Sequence, residues 1–350
     1  MGRKWLALLV GFYIFIFVLS LALSYSIFTY KKIHTENKAN PLPEQRLFPT
    51  PTPIPGGPKS ILLIGYGGEG HSGGLLSDSI ILAQINEKEK KVNLISIPRD
   101  LWVELPDEET GNHHYKVNWA FAKGGGDLAK KTISKITNLP VDYFIAANFG
   151  GFKHVIDILG GVEVDVPFEF SDEFYPIAGR ENDSCGKTGE EIAQLTKTLS
   201  GYKLEQQFKC RYETVHFDKG KTLMKPDTAL KFVRSRHSEV NGGDFGRMIR
   251  QHAVLKGIKN KILSFETVPR IIPLVNKIAE YVQTDLDISS LIELAKTYEQ
   301  IPNVSLNSIY LTTEDVLIES RSSDGQFILL PKDGVDKWEG IHKYIQENLK

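Results

Sequence analysis

The chain has 350 residues, of which 41% are hydrophobic and 24% charged, the usual balance of a folded globular protein. This composition excludes a mainly disordered chain and a polytopic membrane protein, and the length allows one large domain or two medium ones. The formal net charge of −1 argues against a general nucleic-acid binder. Of the 42 Lys/Arg and 43 Asp/Glu, residues 1–59 hold 7 and 2, so residues 60–350 hold 35 and 41. An anion site in this larger, acidic part must therefore come from local clustering of basic residues.

The N-terminal segment is strongly apolar. Residues 5–30 are uncharged and dominated by Leu, Ile, Phe and Val, and they exceed the roughly 20 residues that cross a bilayer. We interpret them as an uncleaved transmembrane anchor; the alternative is a cleaved signal peptide, with a cleavage-like site at Ala22-Leu23-Ser24. The short tail of residues 1–4 favours an orientation with this tail in the cytoplasm and the large C-terminal part outside.

A proline-rich segment follows the apolar stretch. Residues 31–59 hold seven prolines, all between Pro41 and Pro58. Such a segment favours extended polyproline II and acts as a semi-rigid spacer. It would keep the domain of residues 60–350 tethered near the membrane but away from its surface.

Strand and helix patterns alternate through the folded part. A charged turn at Glu87–Lys90 joins two apolar runs and predicts a β-hairpin. The alternation and the hairpin together favour a mixed-sheet α/β sandwich over a purely parallel sheet. We predict strands at 60–65, 79–86, 91–97, 141–148, 161–166, 306–311 and 327–330, helices at 127–138, 151–159, 226–233, 244–263, 268–282, 288–298 and 335–349, and an irregular polar insertion at 171–222.

Three familiar motifs are rejected. The run Gly65–Gly70 matches GxGxxG after a strand, but no helix is predicted to open at its glycines, as dinucleotide binding requires. It is also no P-loop, because no Gly-Lys-Ser/Thr follows; it is either a plain surface loop or one that closes over a ligand. His113 and His114 lack partners at zinc spacing, and the only cysteines are Cys185 and Cys210, so no zinc site is expected.

Three segments concentrate Arg and Asp. The first holds Arg99 and Asp100 after Pro98 at the end of a predicted strand, where open α/β sheets usually bind ligands. A surface ion pair is the alternative. The second holds Arg234 and Arg236, whose side chains would point to the same side if the stretch is extended. Two like charges side by side favour an anion between them, and guanidinium groups donate paired hydrogen bonds to phosphate oxygens.

The third segment opens the predicted helix at 244–263. Asp244 is a candidate N-cap after two glycines, and Arg247, Arg250 and Gln251 then share one helical face. Residues 234–251 hold four Arg, no Lys and two acidic residues, which favours planar recognition of phosphate over a merely solvated face. A structural network of salt bridges is the alternative.

Asp78 opens the second predicted strand, just after the glycine-containing loop. A carboxylate beside an arginine cluster is a natural ligand for Mg²⁺, which commonly takes one or two carboxylates plus substrate phosphate oxygens. A turn or capping role is the alternative. In an anchored extracytoplasmic domain, these residues suggest a lipid-linked phosphate or diphosphate as the substrate.

Several stretches form a specific ordered set, and in this order they resemble the LytR-CpsA-Psr family. The matching stretches are ILLIG at 61–65, LSDSIILAQIN at 76–86, KVNLISIPRDLWVELP at 91–106, KVNWAFAKGG at 116–125, DILGGVEVDVP at 157–167, and DTALKFVRSRH then GDFGRMIRQ between 227 and 251. SIPRD, GGVEVDVP and RSRH…GDFGRxxRQ are the most specific. The resemblance covers residues 60–265, and weaker family-like helices follow in the C-terminal part, 266–350.

The resemblance implies an anchored extracytoplasmic enzyme with a mixed-sheet α/β/α core, located in the bacterial cell membrane with a single span. Such enzymes transfer a glycopolymer from a polyprenyl-diphosphate carrier onto peptidoglycan and release polyprenyl phosphate. Mg²⁺ (or Mn²⁺) assists, the prenyl chain lies in an apolar tunnel between sheet and helices, and no nucleic acid takes part.

The resemblance also implies roles for individual residues. The family's diphosphate-binding arginines match Arg99, Arg234, Arg236, Arg247 and Arg250, and the Gln after the second helix Arg matches Gln251. The metal-linked Asp matches Asp78, and the Asp of the PRD run matches Asp100. We therefore expect Arg99, Asp78, Arg234 and Arg236 to act in catalysis, with Asp100 and Asp244 in support.

The sequence departs from the family pattern in two places. The family usually has Asp in a G-x-D run directly after the first strand, whereas Gly67 stands here, and Glu69 or His71 is the candidate substitute. The insertion at 171–222 is the second departure, and outside the cytoplasm its two cysteines are expected to form a disulfide.

Two other functions stay open. A polyprenyl-diphosphate hydrolase would cleave the lipid with water and need no acceptor. A non-catalytic lipid-diphosphate binder or cell-envelope regulator would bind the lipid without turnover, and the carboxylate missing at Gly67 supports this second alternative.

Overall fold

The computed structural model describes residue 51 and residues 57–68, 73–107, 111–262, 281–286, 290 and 304–349. The chain divides into two compact units. The described residues within 1–155 and 269–350 form the first, here called the sheet unit, and those within 156–268 form the second, here called the middle unit. The predicted anchor, most of the linker and most of the helices predicted at 268–282 and 288–298 lie outside the described residues. No helix in the described part is both long and apolar enough to span a membrane.

The described elements are numbered here in chain order. The strands are β1 (Lys59–Tyr66), β2 (Ser77–Asn86), β3 (Lys91–Ser96), β4 (Trp102–Asp107), β5 (Gly111–Lys116), β6 (Tyr143–Asn148), β7 (Val162–Val166), β8 (Phe170–Pro176), β9 (Tyr212–Phe217), β10 (Gly220–Met224), β11 (Val282–Thr284), β12 (Ser305–Tyr310), β13 (Leu317–Arg321) and β14 (Phe327–Pro331). The helices are α1 (Trp119–Thr137), α2 (Phe149–Ile158), α3 (Gly189–Thr198), α4 (Tyr202–Glu205), α5 (Pro226–Arg234), α6 (Gly243–Ile262) and α7 (Glu339–Leu349).

The sheet unit is built around one mixed sheet with the strand order β11, β6, β1, β2, β3, β12. β2 pairs antiparallel with both β1 and β3, so the predicted hairpin is confirmed. β1 pairs parallel with β6, and β3 pairs parallel with β12. The predicted mixed α/β sheet is therefore confirmed.

The core of the sheet unit lies on the central strands. Leu62, Leu82 and Ile95, one from each of β1, β2 and β3, have no exposed surface. Continuous apolar runs such as ILLIG suit strands that are covered on both faces, which is why the sequence pattern identified them.

Helix α1 begins well before its predicted start at residue 127. Gly124 and Gly125 have non-helical backbone angles, and Gly125 has a φ of 60°, so the helix is interrupted at the glycine run. The prediction placed its boundary after this run and missed the turn at Trp119–Lys123. α1 packs against β2 and β6, and α7 packs against α1.

Two hairpins of the sheet unit are absent from the sequence prediction, although the strand predicted at 327–330 is confirmed as β14. β4 pairs antiparallel with β5, and β13 pairs antiparallel with β14. β5 has the sequence GNHHYK, which shows no apolar alternation. Such a strand is recognised only through its partner, because cross-strand pairing stabilises it.

The middle unit corrects the prediction for residues 171–222. This segment is not irregular: β8 pairs antiparallel with β9, β10 pairs antiparallel with β7, and α3 and α4 lie between β8 and β9 in the chain. Helix α3 starts with a capping box in which Thr188 and Glu191 exchange hydrogen bonds. Charged and hydroxyl side chains interrupt the apolar residues of these strands, so their sequence lacked the continuous apolar runs of β1 to β3. A disulfide joins Cys185 to Cys210.

Candidate active site

The first group of predicted site residues lies at the end of β3 in the sheet unit. The guanidinium Nη1 of Arg99 donates to the Asp78 carboxylate at 2.5 Å, and Arg99 Nε lies 3.7 Å from an Asp100 oxygen. The Asp78 side chain is 39% exposed and that of Arg99 22%. The structure therefore brings Asp78, Arg99 and Asp100 together, and Arg99 and Asp78 both keep surface that a ligand can reach.

Lys116 completes this group, and the sequence analysis gave it no role. Its Nζ lies 2.7 Å from the other Asp100 oxygen. Asp100 is thus held between two cations, Arg99 and Lys116, which leaves Asp78 as the more available carboxylate. The signal that could have found Lys116 was its place in the KVNW stretch that carries the family resemblance.

The loop after β1 contains Gly67, at the position where the family usually has Asp. β1 ends at Tyr66, and the described parts of the loop, residues 67–68 and 73–76, contain no helix before β2 begins. This agrees with the rejection of a dinucleotide fingerprint. Glu69 and His71, the candidate substitutes for the missing carboxylate, lie outside the described residues.

An apolar cavity lies between the sheet and α1. It has a volume of only about 10 Å³ and is lined by apolar side chains from both elements, including Leu62, Ile80, Phe121 and Ile133. Among the described residues that line it, Ser77 alone is polar, and Asp78 follows Ser77 directly in β2. An apolar lining therefore lies next in sequence to the charged group, but the cavity as it stands has room for only about one water molecule.

The second group lies in the middle unit, on the loop between α5 and α6. One oxygen of Asp172 accepts hydrogen bonds from the Ser235 hydroxyl at 2.6 Å and from the backbone N–H groups of Arg236 at 2.8 Å and His237 at 3.1 Å. The second oxygen accepts from the Phe174 N–H at 2.9 Å. Asp172 is 1% exposed. This single buried carboxylate fixes the backbone that carries Arg236.

The pKa of Asp172 reports this arrangement. Burial acts to raise it, but the hydrogen bonds from Ser235, His237, Phe174 and Arg236 outweigh burial, and the pKa is lowered from its usual value. Asp172 therefore stays ionised and keeps its acceptor oxygens for the loop. The sequence analysis missed this residue because it falls in the segment predicted to be irregular.

Arg236, Asp244 and Arg247 form a linked set. Arg236 Nη2 lies 2.9 Å from an Asp244 oxygen, and Arg247 Nη2 lies 3.4 Å from the same oxygen. The predicted N-cap role of Asp244 is wrong in position: α6 begins at Gly243, so Asp244 lies in the first turn, where a negative charge favours the helix dipole. The Arg236 side chain is 37% exposed and that of Arg247 is 7% exposed, so Arg236 is the more accessible cation.

Arg250 lies beneath the same loop. It has no exposed surface, and its guanidinium donates to the carbonyl oxygens of Asn241 and Ser235. It also lies 4.6 Å above the Phe170 ring. Burial lowers the pKa of Arg250 to about 10. The predicted contact of Arg250 with substrate has no support in this arrangement, in which its donors hold the loop.

A close backbone approach explains the glycine in the GDFGR run. A Cβ atom added to Gly246 would lie 1.6 Å from the Asn241 carbonyl oxygen. Only glycine lets α6 approach the loop this closely, and the same carbonyl is bound by Arg250.

Arg234 and Gln251 are placed differently from expectation. Arg234 is the last residue of α5, so the extended stretch required for a same-side pair with Arg236 does not form. Its guanidinium Nη1 donates to the Tyr175 hydroxyl at 3.4 Å. Gln251 is half-buried on α6, next in sequence to the buried His252.

The fold and these two groups define a class of protein: a mixed α/β protein with a partly exposed arginine–carboxylate pair at a strand end and an arginine-bearing loop held by a buried carboxylate. The chain matches the model of the LytR_cpsA_psr family over residues 24–337. The chain belongs to this family, as its motifs predicted.

Named relatives agree with this assignment. The chain is 27% identical over 295 residues to the polyisoprenyl-teichoic acid–peptidoglycan teichoic acid transferase TagV of Bacillus subtilis. The aligned region covers 83% of this chain and 65% of that protein. It is 29% identical over 294 residues to TagU of Bacillus cereus, also named as a polyisoprenyl-teichoic acid–peptidoglycan teichoic acid transferase. The aligned region covers 84% of this chain and 75% of that protein. The chain thus spans just under two thirds of the length of the Bacillus subtilis relative.

Solved structures resemble the fold. A crystal structure of B. subtilis TagV matches with a TM-score of 0.58 at 26% identity, over 84% of this chain and 97% of that one. A structure of TagT bound to LIIa-WTA matches with a TM-score of 0.57 at 26% identity, over 85% of this chain and 94% of that one.

Proposed function

We propose that this chain is a membrane-anchored, extracytoplasmic phosphotransferase that moves a glycopolymer from a polyprenyl-diphosphate carrier onto peptidoglycan and releases polyprenyl phosphate. The observation that carries the proposal is the partly exposed Arg99–Asp78 pair, whose Asp78 directly follows Ser77, a lining residue of the small apolar cavity. Relatives named as teichoic acid transferases support this reaction and suggest a teichoic acid as the glycopolymer.

The proposed location is the bacterial cell membrane. The apolar run at residues 5–30 supports a single anchor, and the proline-rich linker supports a domain that works close to a lipid substrate.

The proposed reaction is a displacement at phosphorus. A hydroxyl oxygen of peptidoglycan bonds to the phosphorus nearest the sugar, and the bond from that phosphorus to the bridging oxygen breaks. Polyprenyl phosphate leaves with the bonding electron pair, and the hydroxyl proton passes to solvent. Negative charge spreads over the phosphoryl oxygens, and guanidinium donors stabilise it by position and electrostatics.

In the sheet unit, Arg99 is the residue assigned to stabilise the negative charge on the phosphoryl oxygens. Its contacts with Asp78 and Asp100 orient the guanidinium before substrate binds. Pre-orientation lowers the entropy lost when two parallel hydrogen bonds to phosphate form. In the middle unit the accessible Arg236 is assigned to phosphate oxygens, and Arg247 and Arg250 are assigned to its support.

The donor set of the sheet unit fits Mg²⁺. Asp78 offers one partly exposed carboxylate, whereas Asp100 is held by Lys116 and Arg99, and Gly67 has no side-chain donor. Mg²⁺ commonly binds one or two carboxylates together with substrate phosphates and water, so Asp78 is the residue that would hold it. When bound, the ion would supply electrostatic stabilisation of phosphate charge.

The test uses the full chain in detergent micelles. It is supplied with a short polyprenyl-diphosphate glycan and peptidoglycan fragments, with and without Mg²⁺, and mass spectrometry follows lipid and acceptor. We expect polyprenyl phosphate to appear and the acceptor to gain a phospho-glycan. Arg99→Ala should lose this activity, and Arg321→Ala, on the β13–β14 hairpin, is the matched control.

The two alternatives give other outcomes in the same assay. Cleavage of the lipid without an acceptor product identifies a hydrolase. Lipid that binds but stays intact under every condition identifies a non-catalytic binder, the function that Gly67 favours. Either result overturns the transferase proposal.

A further inference from the structure

Four aromatic rings form a cluster in the middle unit. Tyr202 in α4 stacks on His237, with ring centroids 4.8 Å apart and planes 8° apart. Phe174 meets both rings edge-on, 5.2 Å from Tyr202 and 6.3 Å from His237. Tyr212 lies 5.6 Å from Phe174. Tyr202 is 41% exposed, so this stack ends in a tyrosine ring that solvent reaches.

Covalent and hydrogen bonds restrain the segments that carry both rings of the stack. The disulfide between Cys185 and Cys210 closes the segment that carries Tyr202. His237 is fixed by its backbone N–H, which donates to the buried Asp172. A ring that is already positioned loses little conformational entropy when a ligand packs on it. This cluster is therefore preorganised rather than a loose surface aromatic.

A cation adjoins the stack in the chain. His237 directly follows Arg236, whose side chain is 37% exposed. An aromatic face carries negative charge density, which attracts the slightly positive C–H face of a sugar ring. The backbone N–H groups of Arg236 and His237 donate to the same Asp172 oxygen, and a guanidinium carried on that backbone suits a phosphate attached to such a sugar. The two features together fit a phosphorylated saccharide better than a purely apolar ligand.

We propose that Tyr202 and His237 form a saccharide subsite that takes a pyranose ring of the glycan. This inference rests on the proposed function and deepens it, because it gives the 171–222 insertion the task of holding a sugar beside the arginine loop. The sugar comes either from the glycopolymer donor or from the glycan strand of peptidoglycan. Both present the same ring chemistry to Tyr202.

The test measures binding of two soluble probes to the full chain in detergent, with no polyprenyl lipid present. A β-1,4-linked N-acetylglucosamine tetramer represents the acceptor strand, and N-acetylglucosamine 1-phosphate represents the donor. Calorimetry should show that Tyr202→Ala binds at least one probe about ten-fold more weakly than the unmutated chain. The probe that loses affinity identifies the source of the sugar.

Two variants serve as controls for this loss. Tyr202→Phe keeps the ring and should keep the affinity. Leu223→Ala removes another exposed apolar side chain of the middle unit, 62% exposed in β10, and should also bind normally.

Either of two outcomes would overturn the subsite. In the first, neither probe binds the unmutated chain; in the second, Tyr202→Ala binds both probes with unchanged affinity. If Tyr202→Ala fails to fold, a photoreactive form of the tetramer or of the sugar phosphate is cross-linked to the unmutated chain and mapped by mass spectrometry. Labelling of the peptide around Tyr202 or His237 supports the subsite, and labelling elsewhere alone overturns it.

The result is separable from that of the transfer assay. Sugar binding requires neither lipid nor turnover, so binding without transfer leaves the subsite standing and overturns only the proposed reaction. Transfer with no sugar binding at Tyr202 overturns the subsite and leaves the reaction standing.

Discussion

The carboxylate of Asp172 accepts a hydrogen bond from the backbone N–H of Arg236 at 2.8 Å, across 64 residues of chain. The same oxygen also receives the Ser235 hydroxyl and the His237 N–H. A residue of the insertion thus sets the backbone on which the accessible arginine of the middle unit and the ring of His237 are mounted. Asp172 is a positioning residue, since it acts on a phosphate ligand only through Arg236.

Replacing Asp172 by Asn removes the charge and one acceptor oxygen but keeps the shape. Four donors then compete for a single carbonyl oxygen, and a buried donor left without a partner costs about 1–3 kcal/mol. We expect a loss of about 2 kcal/mol in the free energy of unfolding and weaker binding of inorganic diphosphate. Urea denaturation and calorimetry measure the two effects.

Asp165→Asn is the matched control for this substitution, because Asp165 is exposed on β7 of the same unit. It should leave both quantities unchanged. Diphosphate binding of Asp172→Asn at the level of the unmutated chain would show that the loop does not depend on this carboxylate.

Substitutions at the pair of Arg99 and Asp78 should affect turnover more than stability. Arg99→Lys keeps the charge but loses the paired donors, and Arg99→Ala loses both. We expect the alanine variant to raise the barrier to transfer by about 3 kcal/mol, by analogy with a lost oxyanion donor. Initial rates of phospho-glycan transfer measure this.

Asp78→Asn tests the metal assignment separately. We expect it to raise the Mg²⁺ concentration needed for half-maximal transfer, because the ion loses a charged ligand. A magnesium titration that is unchanged in Asp78→Asn would exclude this carboxylate as the metal ligand.

Loss of the disulfide should loosen the insertion. A crosslink closing a loop with a sequence separation of 25 contributes about 3.5 kcal/mol in the chain-entropy model. We expect the double variant Cys185→Ser and Cys210→Ser, and the reduced chain, to show faster hydrogen exchange in residues 185–210. Exchange in the strands of the mixed sheet is the internal reference and should stay slow. Equal exchange in the oxidised and reduced chains would contradict this role.

The buried His252 predicts how stability depends on pH. Burial lowers the pKa of His252 from 6.5 to about 3. Between these values the unfolded chain binds a proton that the folded chain does not, so the free energy of unfolding falls as pH falls. The slope contributed by one such group reaches about 1.4 kcal/mol per pH unit.

The measurement for His252 is urea denaturation at several values between pH 5 and pH 7. Asp172 adds its own loss of stability only in more acidic solution. The usual pKa of an Asp carboxyl, 3.8, is already below the measured range, and the pKa of Asp172 in the folded chain is lower still. His252→Asn should flatten the slope in the measured range. An identical slope in the variant and in the unmutated chain would assign the pH dependence to other groups.

Strong local patterns explain why much of the sheet unit was predictable. The apolar runs of β1, β2 and β3 and the charged turn at Glu87–Lys90 are contained in short windows of sequence. The pairing of Arg99 with Asp100 was suggested by their adjacency after a strand. Strands without a continuous apolar run, such as β5 and β8, have no such window, and β8 pairs with a strand that begins 36 residues after it ends.

In the candidate site, too, the sequence indicated the type of chemistry but not the role of each arginine. The composition of the arginine segments indicated phosphate recognition, yet the roles of the individual arginines were not readable from spacing. Arg234 ends a helix, and Arg250 is buried under carbonyl oxygens of residues 235 and 241. Both outcomes follow from how α5, α6 and the loop between them pack.

By itself, the sequence determined the mixed α/β class, the family, the central hairpin and the set of charged residues, because local periodicity and motif spacing encode these. Only the tertiary structure decided which cations stay accessible, that Lys116 holds Asp100, and that Asp172 holds the arginine loop. The physical reason is that burial and hydrogen bonding join residues far apart in the chain, and no short window of sequence contains both partners.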